Sequence, residues 1–225
     1  MSSVTAVLFD LDGTLHERDA TLIRFLNAQW VLHPPSEFKI AKENFIEQFI
    51  ELDNHGYTTK KIVYETLSQR FKWHVDFGNC LLDEFHRLFT NHAVPVEGSQ
   101  ALAQRLRAAG ILLGIVTNGT SGMQRATITR CGFETFFDAV LISEEEGVRK
   151  PDSELFRRAL VRLGANANES IFVGDNPEAD IAAAKAAGLR AYWRKTKHYS
   201  EAPQADLIFS TMEELGDALF ERLDA

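Results

Sequence analysis

Val7-Leu8-Phe9-Asp10-Leu11-Asp12-Gly13-Thr14 is the stretch that decides the fold. An apolar run ends in two carboxylates set two positions apart, and Gly13 follows at once. A short unbroken apolar run reads as a strand buried on both faces, as in a parallel sheet. Such a strand delivers Asp10 to its end, and glycine lets the chain turn away tightly after Asp12. Two acids this close beside a metal ion can divide labour. One stays ionised and attacks; the other can hold a proton for a leaving group. Taken alone, the stretch reads more readily as an edge strand followed by an acidic turn, so the rest of the chain must decide.

Working outward, strand and helix patterns alternate from Glu97 onward. Leu102, Leu106 and Ala109 fall at helical spacing before Gly110, and Ile111–Val116 then reads as a buried strand. A helix near Met123–Arg130 and a short strand around Ala139–Ile142 follow. Leu155, Phe156, Ala159, Leu160 and Leu163 mark the next helix, which Gly164 ends. Ile171–Val173 is a further buried strand, followed by an Ala-rich helix to Ala187. Leu189–Trp193 and Leu207–Phe209 read as the last strands, and Met212–Leu223 as a closing helix. This rhythm predicts an α/β fold with a doubly wound parallel sheet.

Residues 16–93 break the rhythm. No strand is evident there, but Leu22, Phe25, Leu26 and Trp30, then Phe45, Ile46, Phe49 and Ile50, recur at helical spacing, as do Leu82, Phe85, Leu88 and Phe89. A module of about four helices is therefore expected as an insertion after the first strand, dividing the chain into a core (1–15 and 94–225) and a helical cap (16–93). Its phenylalanines could line a cleft, although aromatics at this spacing are more often core.

Three later motifs stand where the first one needs them. Thr117 and Asn118 follow a buried strand, with Gly119 and Gly122 loosening the loop; a hydroxyl and backbone N–H groups there could hold a phosphate oxygen. Lys150 precedes Pro151 in an extended loop, where an ammonium could neutralise a carboxylate and an anion together. Asp175 emerges after Ile171–Val173, and Asp180 lies near the start of the next helix. Carboxylates such as Asp10 and Asp175 on separate strand ends form a hard-oxygen site suited to Mg²⁺. Each motif also has a plain reading: a satisfied turn, a solvated lysine, a helix cap.

Composition narrows the partners. The 225 residues carry a formal charge of −8, which disfavours nucleic-acid polymers and anionic membrane surfaces but not a small anion met by one metal ion and one lysine. Cys80 and Cys131 lie far apart with no C-x-x-C pattern, so a reducing, cytoplasmic compartment is expected. A strand beginning almost at Met1 leaves no room for a signal peptide, and no apolar run reaches transmembrane length.

Together, Asp10-Leu11-Asp12-Gly13-Thr14, Thr117-Asn118, Lys150-Pro151-Asp152 and Gly174-Asp175 with Asp180 resemble the four motifs of the haloacid dehalogenase superfamily, in its helical-cap phosphatase branch. The resemblance covers nearly the whole chain. It implies a Rossmann-like core and a small phosphorylated metabolite as substrate, for instance a sugar phosphate, a nucleoside monophosphate or a phosphoglycolate-like acid. It also implies two-step phosphoryl transfer, in which Asp10 attacks phosphorus and Asp12 protonates the leaving alcohol, then activates water. Mg²⁺ would be held by Asp10, the Asp12 carbonyl and Asp175. Thr117 with Asn118 and Gly119 would hold phosphoryl oxygens, Lys150 would stabilise charge, and Asp180 would orient Lys150 or metal-bound water. Arg18, beside His16 and Asp19 just after the first motif, is a candidate contact to the leaving group.

Other readings of the same residues have distinct signatures. Dehalogenases of the superfamily lack the second acid, which Asp12 supplies here. A phosphosugar mutase would use the same Asp10 and Asp12 but return the phosphoryl group to a sugar. A phospho-aspartate receiver would be about half as long and carry its acceptor on a later strand, and a binding protein on the same fold would have no reason to keep Asp12.

Overall fold

A computed structural model of the protein describes residues 4–223. The chain divides into two compact units, one made of the segment through Glu17 together with the chain from Val94 on, the other of Arg18–Ala93. The division falls two residues later than the sequence suggests. A short ladder explains the shift: Val96 N–H donates to Leu15 O and Glu17 N–H to Val94 O, both at 2.8 Å, and His16 bridges Pro95.

The larger unit is built on β1 (Ala6–Phe9), β2 (Leu112–Thr117), β3 (Ala139–Ile142), β4 (Ser170–Gly174), β5 (Arg190–Arg194) and β6 (Leu207–Phe209). They form one sheet in the order β3-β2-β1-β4-β5-β6, with every pairing parallel. The chain winds outward from β1 through β2 and β3 on one side, and through β4, β5 and β6 on the other. Ligands of open α/β sheets bind beyond the carboxyl ends of strands where the order reverses. Here that place is the end of β1, flanked by β2 and β4.

Burial follows from position in the sheet. All four residues of β1 are buried, as are Ile171, Phe172 and Val173 of β4, because helices cover both faces of a parallel sheet. The helix Ser153–Leu163 turns Leu155, Phe156, Ala159, Leu160 and Leu163 inward. Phe156 meets Phe172 edge-on at 4.8 Å between ring centroids. Asp152 caps this helix by accepting from Glu154 N–H at 2.9 Å, and Gly164 ends it in a left-handed conformation. After β4, Asn176 accepts from the Glu178 and Ala179 N–H groups with Pro177 in the first turn. Pro177–Ala182 is wound as wide π-type turns rather than as the start of one regular helix, a local departure often found at functional sites.

The other unit holds four helices of three turns or more, Arg18–Leu32, Lys42–Asp53, Lys60–Phe71 and Val75–Leu88, and the single turn Pro35–Phe38. Its aromatic residues are its core. Phe25, Phe38, Phe45, Phe49 and Phe85 are buried; Trp30 stacks on Phe38 at 4.2 Å and Phe85 on Phe89 at 4.7 Å. Pairs of this kind add about 0.5–1.5 kcal/mol beyond area burial. The cleft-lining alternative for these phenylalanines therefore gives way to the core one. Among the described residues, no helix is long and apolar enough to cross a membrane.

Candidate active site

Asp10 leaves the end of β1 with its N–H bonded to Val173 O at 2.8 Å, so its side chain emerges at the switch point. Lys150, only 4% exposed, lays its Nζ 2.6 Å from Asp10 Oδ1 and 2.6 Å from Asp180 Oδ1. The two carboxylates hold the ammonium above its ordinary pKa, outweighing burial, which acts the other way. Asp180 is fully engaged, since its Oδ2 accepts from the Asp175 and Asn176 N–H groups at 3.1 and 3.0 Å. That contact needs Gly174, where a Cβ would sit 2.5 Å from the Asp180 carboxyl carbon.

Asp175 is held from both sides. Trp193 Nε1 donates to its carbonyl at 2.6 Å, and its Oδ2 would lie 2.4 Å from a Cβ at Gly13, where φ is +86°. Both the backbone sign and the close approach demand glycine at position 13. Arg194, from the end of β5, donates to the Gly13 carbonyl at 2.6 Å and to Glu17, which secures the turn after Asp12.

Asp12 is gripped at both oxygens. His16 Nδ1 lies 2.7 Å from Oδ1, and Gln124 Nε2 donates to Oδ2 at 2.9 Å. His16 is fully buried. Gln124 also reaches Thr117 Oγ1 at 2.7 Å and Asn118 O at 3.3 Å. Because Thr117 Oγ1 accepts from this amide, its own O–H is left to point elsewhere.

The Asn118 side chain is committed to the backbone of Lys150: its Nδ2 donates to Lys150 O and its Oδ1 accepts from Lys150 N–H, both at 2.9 Å. Gly119 N–H donates to Ser143 Oγ at 3.0 Å. The Asn118 side chain thus shapes the loop that carries Lys150. Arg18 belongs to the helical unit, where its guanidinium pairs with Asp53 at 2.8 Å. Gln124 and Arg194 were missed altogether. For Gln124 a signal existed: with Thr127 and Ile128 it forms the buried stripe of the helix Ser121–Arg130, and an amide on a core-facing stripe needs a partner.

The acids suit a divalent cation. Oxygens of Asp10, Asp175 and Asp180 lie within 4.8 Å of one another, and one lysine faces all three carboxylates. Burial pushes the Asp10 pKa up to about 7; Lys150 opposes the rise and Asp180 adds to it. Burial, then Asp10 and Asp180, raises Asp175 well above the carboxylate range. With both Asp180 oxygens occupied, Asp10 and Asp175 remain as donors, and such hard oxygens fit Mg²⁺.

Residues 7–193 match the family of haloacid dehalogenase-like hydrolases. The chain belongs to that family. Among its relatives in it are the glyceraldehyde 3-phosphate phosphatase of Pyrococcus furiosus, 26% identical with 97% of this chain and 94% of that one covered, and the ribulose-1,5-bisphosphate 5-phosphatase of Halopiger xanaduensis, 30% identical with 95% and 98% covered. The HAD-hydrolase YfnB of Bacillus subtilis, solved bound to magnesium, shares the fold with a TM-score of 0.74 at 23% identity, covering 97% of this chain and 99% of that one. Haloacid dehalogenase-like hydrolases of such different substrates share a core, so specificity must be read elsewhere.

Proposed function

We propose that the chain is a Mg²⁺-dependent phosphatase of small phosphate monoesters, working through an aspartyl-phosphate on Asp10. One observation carries the reading: a second carboxylate, Asp12, follows the nucleophile and is held at both oxygens by His16 and Gln124. A departing halide needs no proton, whereas a departing alkoxide does. The phosphatase names of the relatives point the same way.

In the first step an Asp10 oxygen bonds to phosphorus as the ester P–O bond breaks, and Asp12 gives its proton to the leaving oxygen. In the second, Asp12 takes a proton from water as that water's oxygen attacks phosphorus, and Asp10 is released as a carboxylate. Lys150, fixed between Asp10 and Asp180, offsets charge in both steps, and the Thr117 O–H faces a phosphoryl oxygen. Mg²⁺, held by Asp10, Asp175 and the Asp12 carbonyl, would neutralise charge on the transferring group. Such transfers depend mainly on positioning and electrostatics, which the locked side chains provide. The helical unit is assigned the choice of leaving group, and Arg18 belongs to that task. Asp10→Asn tests the proposal: with the circular dichroism spectrum unchanged, release of phosphate from an aryl phosphate should vanish, and near-normal turnover would refute it.

A further inference from the structure

The helical unit contains a second group of metal-ligating side chains that the reaction does not use. His33 directly follows the helix Arg18–Leu32, and Cys80 and Glu84 stand one turn apart on another, Val75–Leu88. His33 Nε2 lies 2.9 Å from Glu84 Oε1, Cys80 Sγ lies 3.9 Å from the same oxygen, and all three ligand atoms fall within 4.8 Å of one another. We propose that His33, Cys80 and Glu84 form a three-ligand site for a borderline-soft divalent ion of the zinc class.

Ligand type and spacing both support this. Imidazole, thiolate and carboxylate together select zinc-like ions over Mg²⁺, which prefers oxygen alone. A tetrahedral zinc ion separates a nitrogen from an oxygen ligand by about 3.3 Å and a sulfur from an oxygen by about 3.5 Å, so the two observed separations need shifts of about half an ångström or less. Three protein ligands leave the fourth position to water.

The surroundings hold the ligands in place. Gln29, itself buried, donates to Glu84 Oε2 at 3.1 Å and to Leu81 O at 2.8 Å, and receives a hydrogen bond from Tyr64 O–H at 2.7 Å. The carboxylate is thereby aimed with Oε1 toward His33 and Cys80, the kind of outer-shell support that metal ligands have. The His33 ring packs edge-on against Phe77 and Phe38, and its Nδ1 lies 4.0 Å from Glu37 Oε2. Ion binding at Nε2, which now meets Glu84 Oε1, would move the imidazole proton to Nδ1, on the side of Glu37. A solvent-open cleft of about 460 Å³ is lined by Asp76, Asn79, Cys80, Asp83, His86 and Arg87.

Charge balances on binding. The Cys80 thiol releases one proton to solvent as the sulfur–metal bond forms, and thiolate plus carboxylate then neutralise a dication. Without a cation, burial and the nearby Glu84 and Asp83 carboxylates push the Cys80 pKa up. The same negative surroundings that disfavour a bare thiolate attract a positive ion.

The test is a Co²⁺ titration of the full chain in excess Mg²⁺, followed by absorption spectroscopy. One equivalent should produce a thiolate-to-cobalt charge-transfer band and tetrahedral visible bands, and Zn²⁺ should abolish both. Cys80→Ser should lose the charge-transfer band, while Cys131→Ser keeps it. His33→Ala and Glu84→Gln should each weaken binding by more than about tenfold. The proposal is overturned if wild type shows no thiolate band, if Cys80→Ser retains it, or if the His33 and Glu84 variants bind as wild type does. The wild-type result stands even where a variant fails to fold, and none of these readouts depends on phosphatase turnover.

Discussion

At the scale of single residues, the unexpected participant is Gln124. Its amide carries two hydrogens and lies within reach of Asp12 Oδ2, Thr117 Oγ1 and Asn118 O, so it ties the proposed acid to the proposed phosphate hydroxyl. Gln124→Met keeps the volume and removes the donors. A hydrogen bond to a charged group contributes about 1.5–3 kcal/mol, so kcat/KM for an alkyl phosphate should fall roughly 10- to 150-fold. An aryl phosphate, whose leaving group needs less protonation, should lose much less. Equal losses on both substrates would reduce Gln124 to a support for Thr117. At this scale the sequence showed which residue types matter but not whom they touch. Asn118 sits beside Thr117 at a strand end, and only the folded loop reveals that its amide brackets the Lys150 backbone.

Elements were legible wherever burial leaves a periodic mark. β1, β2 and β4 are apolar save for Thr117 and Ser170 at strand ends, because both their faces are covered, and the helix Ser153–Leu163 shows a clean inward stripe. Less legible were features set by tertiary contacts: the π-type winding at Pro177–Ala182, and the ladder that keeps His16 and Glu17 with the core. Between helices of the smaller unit, Asp53 has a buried side chain and pairs with both Arg18 and Lys60. Burial raises its pKa, but the two cations outweigh that and leave it depressed. A depressed folded-state value stabilises the protein fully above about pH 4, and the gain is lost as pH falls through the folded value. Asp53→Asn should lower stability by about 1–3 kcal/mol at neutral pH. Its melting temperature should also change less than that of wild type as the pH is lowered below about 4. Parallel acid limbs for the two proteins would show that Asp53 carries no such linkage.

On the scale of the whole molecule, six strands bring together residues 165 positions apart, Asp10 and Asp175, at one switch point. Strand order made that meeting legible, since β1 lies between β2 and β4 and each carries a motif at its carboxyl end. Excess negative charge there should make the fold respond to Mg²⁺. Saturation to about 100 times the dissociation constant stabilises a native state by about 2.7 kcal/mol. Thermal melts should therefore shift upward with Mg²⁺ in wild type and far less in Asp175→Asn, and EDTA should abolish turnover. Identical shifts in the two proteins would place the ion elsewhere.

The central claim is that the phosphoryl group passes through Asp10. Rapid-quench labelling with a ³²P-aryl phosphate, whose leaving group needs little protonation, followed by peptide mapping, measures this directly. Wild type should show an acid-stable label on the peptide containing Asp10 that forms and decays at rates consistent with turnover. The label should be absent in Asp10→Asn and should persist in Asp12→Ala, which lacks the base for the second step. Turnover without a covalent label, or a label on another residue, would contradict the account.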